Sequence, residues 1–205
     1  MNRFETQVVW CTISKAVCQG LLGLCVAVGV VATRPLLAQD ESADATTTFL
    51  VVRHAERDGN LDKLTKIGVE RAQRLAAVGS ALNVQAIYST NTKRTTGTVQ
   101  PLAKTTETEI ETYAAPSKNW IASLKQKHSG QVVLIVGHSN TAGVIAGMLA
   151  NDEPFEIKHN EYDAIFVIQV SKSGTRSMRL RYGSRSGSAS SADPDKMGEL
   201  KTTHQ

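Results

Sequence analysis

Sulfur chemistry is almost absent from this chain. Its 205 residues hold three cysteines, Cys11, Cys18 and Cys25, all of them close to the amino terminus. Beyond Cys25 there is no thiol, which excludes a disulfide framework, a cysteine nucleophile and a cysteine-based metal site from the rest of the protein. Aromatic residues are few, at 5% against 41% hydrophobic residues, a balance ordinary for a soluble α/β protein and silent about activity. No internal repeat is present, so a solenoid is excluded. A basic stripe is also lacking: Lys and Arg total 23 against 19 Asp and Glu, for a net charge of +4. These cations are spread along the chain and interleaved with acids, which is not the footprint of a nucleic-acid-binding surface.

Residues 1–38 read as an export signal. Arg3 and Lys15 lie in a polar start, an apolar stretch runs from Val17 to Ala32, and Leu36-Leu37-Ala38 places a small residue before a cut, so the mature chain is expected to begin near Gln39. The expected location is periplasmic or secreted, with no stable membrane association once the signal is removed. If retained, the segment would act as a membrane anchor, although its apolar run is at the short end for crossing a bilayer. Residues 39–47 are small, acidic and polar and read as a flexible leader. The folded domain is expected over 48–182, and 183–205, rich in Ser, Gly and charge, as a disordered tail.

Within the domain the pattern alternates. Phe49 to Val52 is a short continuous apolar run, as in a strand covered on both faces. Thr65 caps a helix with Val69, Ala72, Leu75, Ala76 and Leu82 at helical spacing. Ala86 to Tyr88 forms a strand, Thr92 to Ala103 a helix weakened by Gly97 and Pro101, and Thr108 to Tyr113 a polar strand near an edge. Ser117 caps a helix carrying Trp120, Ile121 and Leu124 inward, and Gln131 to Val136, the most apolar strand, is expected at the centre of the sheet. A small-residue helix over Thr141 to Ala150 and two strands, Ala164 to Val170 and Ser177 to Tyr182, follow. The order β-α-β-α-β-α-β-α-β-β predicts a three-layer α/β/α sandwich whose central sheet is mostly parallel, with an antiparallel edge.

Open sheets of this kind bind ligands at the carboxyl ends of their strands. The strand ending at Val52 runs into Arg53-His54-Ala55-Glu56-Arg57, and the one ending at Val136 runs into Gly137-His138-Ser139-Asn140. A third, Ile87-Tyr88-Ser89, leads to Arg94 one helical turn into the next helix. Two imidazoles and two guanidinium groups at one rim are costly as a core, since buried charge must be paired. Around a phosphate they are matched.

Leu50-Val51-Val52-Arg53-His54-Ala55-Glu56, then Leu64-Thr65-Lys66-Ile67-Gly68, then Ile87-Tyr88-Ser89 with Arg94, then Val136-Gly137-His138-Ser139, together resemble the histidine phosphatase superfamily, relatives of phosphoglycerate mutase. The resemblance covers roughly residues 48–182. It implies a phosphatase acting on phosphate esters or anhydrides of a small phosphorylated substrate, with His54 taking the phosphoryl group. Arg53, Arg94 and His138 complete the catalytic set, and Asn60 is implied as a phosphate contact. Ala55 stands where most members have glycine, and its methyl is expected to narrow the pocket. No metal or other cofactor is required, because the arginines supply the positive charge.

In-line attack needs a neutral imidazole at His54 whose other ring nitrogen donates to a backbone carbonyl or similar acceptor. Backbone NH groups of Asn140 and Thr141 are expected to help hold the anion. Arg57 is open between a phosphate contact, an anchor for a distal part of the substrate and a solvated surface charge, and Glu56 is expected to orient its neighbours. His128 and His159 read as surface histidines, and His159, Glu161 and Asp163 have no spacing that fits a metal.

The family's general acid is the gap. Between Arg94 and His138 the sequence offers Glu107, Glu109 and Glu111, of which Glu109 and Glu111 are the candidates for proton donor. A missing acid favours activated phosphates over plain esters, because an alkoxide needs a proton on departure. Two alternatives follow: a phosphate-binding module that has lost turnover, and a phosphomutase, for which this chain has little lid sequence between Tyr113 and Gln131. Oligomeric state is not legible from these residues.

Overall fold

In the computed structural model the described residues are 45–186; the expected export signal, most of the leader and most of the tail lie outside them. Ten elements follow in the order β1 (Thr47–Arg53), α1 (Lys66–Ala81), β2 (Ala86–Ser89), α2 (Lys93–Thr106), β3 (Ile110–Thr112), α3 (Lys118–Lys127), β4 (Val132–Gly137), α4 (Ala142–Ala150), β5 (Ala164–Ser171) and β6 (Gly174–Arg181). The six strands form one sheet in the order β3-β2-β4-β1-β5-β6. β3, β2, β4 and β1 are parallel neighbours, while β5 and β6 join antiparallel.

Alternation along the strands feeds two cores. Phe49, Val51, Val133 and Ile135 face one side, where Ile121 and Leu124 of α3 and Ile145 and Leu149 of α4 cover them. Leu50, Val52, Leu134 and Val136 face the other, against Leu75 and Ala76 of α1 and Val99 and Leu102 of α2. The sandwich is therefore three-layered as expected, with β4 central and β3 at an edge. Side-chain oxygens of Thr65, Thr92 and Ser117 accept from backbone NH groups of Gly68, Thr95 and Trp120 and so start α1, α2 and α3.

Several local expectations need correction. Val69 and Leu82 do not face inward from α1; both are exposed, and Gly68, Arg71 and Gly79 occupy buried positions instead. Close approach decides this: a methyl at Gly68 would collide with the carbonyl of Glu56, and one at Gly79 with Leu102. α2 runs on to Thr106 through Pro101, and Glu107 then ends it in the left-handed region at φ 53, which shortens the expected strand 108–113 to Ile110–Thr112. Residues 183–186, read from sequence as tail, include two that are hydrogen-bonded: Ser184 O accepts from Arg71 and Ser186 Oγ from Tyr162 N.

Candidate active site

Parallel strands deliver the site. β1 and β4 end with Arg53 opposite Gly137, and β2 ends beside them with Ser89 opposite Val136. The loops that follow carry His54 and His138, and Arg94 sits in the first turn of α2. His54 N donates to Gly137 O at 2.9 Å, tying the two histidine loops together.

His54 is 3% exposed. Its Nδ1 lies 2.8 Å from Ala55 O. A carbonyl only accepts, so Nδ1 carries the proton and Nε2 keeps the lone pair. Burial lowers the pKa to about 4; the Ala55 bond opposes this, and the charges of Arg53, His138 and Arg94 add to the lowering. His54 is therefore neutral at pH 7. An in-line attack on phosphorus would need this neutral form, so if His54 is the nucleophile, acidification from pH 7 to 5 should leave activity intact and it should fail only as pH approaches 4. A pH profile of kcat/KM, corrected for ionisation of the substrate, checks this; an acid limb at the ordinary imidazole pKa, about 6.5, would contradict it.

His138 is partly buried. Its Nε2 is 3.1 Å from Thr90 Oγ1, whose hydroxyl donates to Thr95 Oγ1 at 3.0 Å, which in turn donates to Thr90 O at 2.8 Å. With the Thr90 proton committed, Nε2 is the donor, leaving Nδ1 to accept from Arg94 Nη2 at 3.4 Å. Burial, then Arg94 and Arg53, lowers its pKa. The two imidazole rings stand edge to face with centroids 5.5 Å apart.

Arg53 is 4% exposed, and its Nη1 donates to the carbonyls of His159 at 2.7 Å and Glu161 at 3.2 Å. Its guanidinium carbon lies 4.1 Å from the centre of the Tyr162 ring, so the arginine also clamps the loop before β5. Arg94 Nη1 donates to Asp62 Oδ1 at 2.9 Å. Asp62 accepts from the backbone of Lys93 and Arg94 as well, capping α2 from outside the helix. One atom of each arginine is left over: Arg53 Nε and Arg94 Nε are two of the four buried side-chain polar atoms without a partner among the described residues. A buried NH without an acceptor is costly, and an anion at the rim offers the missing acceptors.

These groups surround a cavity of about 320 Å³ lined by Arg53, His54, Arg57, Arg94, His138, Ser139, Asn140 and His159. Arg57 thus reaches the pocket. Asn60 does not line it and is exposed in the turn before Asp62. Ala55 is fully buried, with N bonded to Thr98 Oγ1 at 2.9 Å, and is not among the lining residues, so its methyl does not narrow the cavity. Thr141 NH points to His138 O at 3.2 Å rather than to the pocket, while Asn140 lines it.

Neither glutamate proposed as proton donor reaches the rim. β3 runs parallel to β2 with Thr112 beside Ser89, so Glu109, preceding the strand, lies at the opposite end of the sheet. Glu111 is held by Lys127 at 2.8 Å. No Asp or Glu lines the cavity. Glu56 orients its neighbours as expected, through a two-pronged bond from Arg71. Glu161 and Asp163 pair with Arg179 and Arg181 at 2.6 and 2.8 Å, and among the described residues no group is placed to hold a metal ion.

His159, read from sequence as a surface histidine, lines the pocket, and the sequence reading missed Asp62 and the Thr90–Thr95 relay. The threonine-rich run from Thr90 to Thr98 was the available signal for the relay, and the position of the His159 loop before a strand adjoining the site was the signal for a pocket wall; nothing local marked Asp62.

Residues 49–115 match the histidine phosphatase superfamily (branch 1). The resemblance carried by the motifs is thereby confirmed for the stretch holding Arg53, His54, Arg57 and Arg94; His138 lies beyond it and joins through β4. No curated protein matches the chain. Several solved structures share the fold. A candidate alpha-ribazole-5'-P phosphatase from Escherichia coli str. K-12 is 14% identical, with 68% of this chain and 97% of that chain covered and a TM-score of 0.53. A mycobacterial glucosyl-3-phosphoglycerate phosphatase is 13% identical, covering 68% and 98%, at 0.51. A candidate phosphohistidine phosphatase SixA from Nakamurella multipartitia is 16% identical, covering 68% and 96%, at 0.50. At these identities the likeness is one of fold.

Proposed function

We propose that this protein is an exported phosphatase that hydrolyses esters or anhydrides of a small phosphorylated substrate through a phosphohistidine on His54. The observation that carries this reading is a neutral, buried imidazole with its Nδ1 committed to Ala55 O, in a cavity with Arg53 and Arg94 and no carboxylate. The Nε2 lone pair attacks phosphorus in line, the bond to the leaving oxygen breaks, and that oxygen takes its electrons and then a proton. Water attacks the phosphohistidine next, the P–N bond breaks, the lone pair returns to Nε2, and phosphate leaves. Arg53 and Arg94 meet the charge on the equatorial oxygens with forks fixed beforehand by the 158–161 carbonyls and Asp62. His138 lines the same cavity and holds Arg94 through Nδ1, its own proton being engaged with Thr90. The names of the fold relatives, which denote phosphatases, agree with a phosphorylated substrate.

The lack of a carboxylate in the cavity favours one rival, a phosphate-binding module without turnover. Incubation with labelled phosphoramidate or acetyl phosphate separates the two: label on His54, detected by mass spectrometry, with steady release of phosphate is expected. Label without release indicates the module, and neither label nor release overturns the reading. Because no acid is at hand, activated phosphates are expected to turn over faster than alkyl esters. Export is tested separately, by amino-terminal sequencing of the secreted protein, with Gln39 as the expected first residue.

A further inference from the structure

A second cavity of about 530 Å³ adjoins the phosphate cavity and shares His138 with it. Its walls come from Thr90, Asn91 and Thr92 after β2, Thr112 at the end of β3, Tyr113, Ala114 and Pro116 after it, and Thr141 before α4. No Asp, Glu, Lys or Arg lines it, in contrast to the three arginines next door.

Apart from Asn91 and Thr112, which are exposed at its mouth, the oxygens in these walls are already engaged. Thr90 Oγ1 sits between His138 and Thr95. Thr92 Oγ1 lies 2.8 Å from Thr95 Oγ1. Tyr113 OH donates to Val136 O at 2.9 Å, and Thr141 Oγ1 accepts from His138 N at 2.8 Å. What the inner wall presents to a ligand is therefore methyl groups, ring faces and the proline ring, with neutral polar groups from Asn91 and Thr112 towards solvent. The wall is also stiff, because Tyr113 stacks on Trp120 with centroids 4.6 Å apart, and Gly137 leaves the space Tyr113 OH and Thr141 need.

We propose that this second cavity receives the leaving group, and that it selects phosphomonoesters whose leaving group is uncharged and presents ring-sized apolar surface. The proposal rests on the phosphatase reading above. With the phosphoryl group among the arginines, a substituent passing His138 enters a space that rewards burial of apolar area. A carboxylate or second phosphate there loses water and finds no cation, which is costly.

Phenyl phosphate and 4-carboxyphenyl phosphate differ at the ring's far end by one negative charge, and the electron-withdrawing carboxylate gives the second no chemical handicap. Wild type is expected to favour phenyl phosphate in kcat/KM by about tenfold or more, the equivalent of one unpaired charge partly desolvated. Ala114→Arg, and independently Thr112→Lys, should shrink that ratio by about fivefold or more, chiefly through KM for the carboxylated ester. Equal kcat/KM in wild type, or an unchanged ratio in both variants once thermal melts show them folded, overturns the leaving-group assignment while the phosphatase reading stands. No turnover of either ester, with no label on His54, overturns both.

Discussion

His54→Asn lowers turnover by about a thousandfold or more while the protein still binds inorganic phosphate. Loss of a nucleophile removes the covalent route itself, and such losses are among the largest single-residue effects known. Asparagine is close to imidazole in size and uncharged, so the arginines and His138 keep their surroundings. The measurements are kcat on an activated phosphate and phosphate affinity by calorimetry. If kcat stays within about tenfold of wild type, the phosphoryl group is not passing through His54. Loss of both turnover and phosphate binding would instead mean that His54 is chiefly a binding group.

Arg71→Ala destabilises the fold by about 3–5 kcal/mol, the usual result of removing one partner from a buried ion pair, and lowers the melting temperature by roughly 10 °C for a domain of this size. Arg71 is 3% exposed. Its Nε and Nη2 grip Glu56 at 2.8 and 2.6 Å, and Nη1 and Nη2 donate to the carbonyls of Tyr182 and Ser184, both at 3.0 Å. Burial opposes the charge, but the bond to Glu56 outweighs it and holds the guanidinium above its ordinary pKa. The alanine variant leaves Glu56 uncompensated two residues after His54, so activity should fall with stability. Adding Glu56→Gln recovers part of the melting temperature, because the stranded charge is then gone. A melt unchanged within 2 °C would mean the pair contributes nothing.

The layer order, the central place of β4, the edge hairpin and the rim carrying Arg53, His54, Arg94 and His138 were all legible in the sequence. Each depends on local information. Short apolar runs mark covered strands, threonine and serine mark helix starts, and a polar group directly after a parallel strand must emerge at the carboxyl end. Those constraints act within a few residues along the chain.

The structure alone decided which face of α1 turns inward, because the buried place of Arg71 depends on Glu56 and Tyr182, which are 15 and 111 residues away. It likewise placed Asp62 on Arg94 and His159 in the pocket, and it put Glu109 at the far end of the sheet. Strand direction fixes that last point, but direction is a property of pairing with β2 and is invisible in a stretch as short and polar as Ile110–Thr112. The four motifs by themselves determined the superfamily resemblance and the rim at which its basic residues gather. Which side chains hold those motifs in place, and which walls adjoin the rim, are decided by contacts between distant residues that no local pattern encodes.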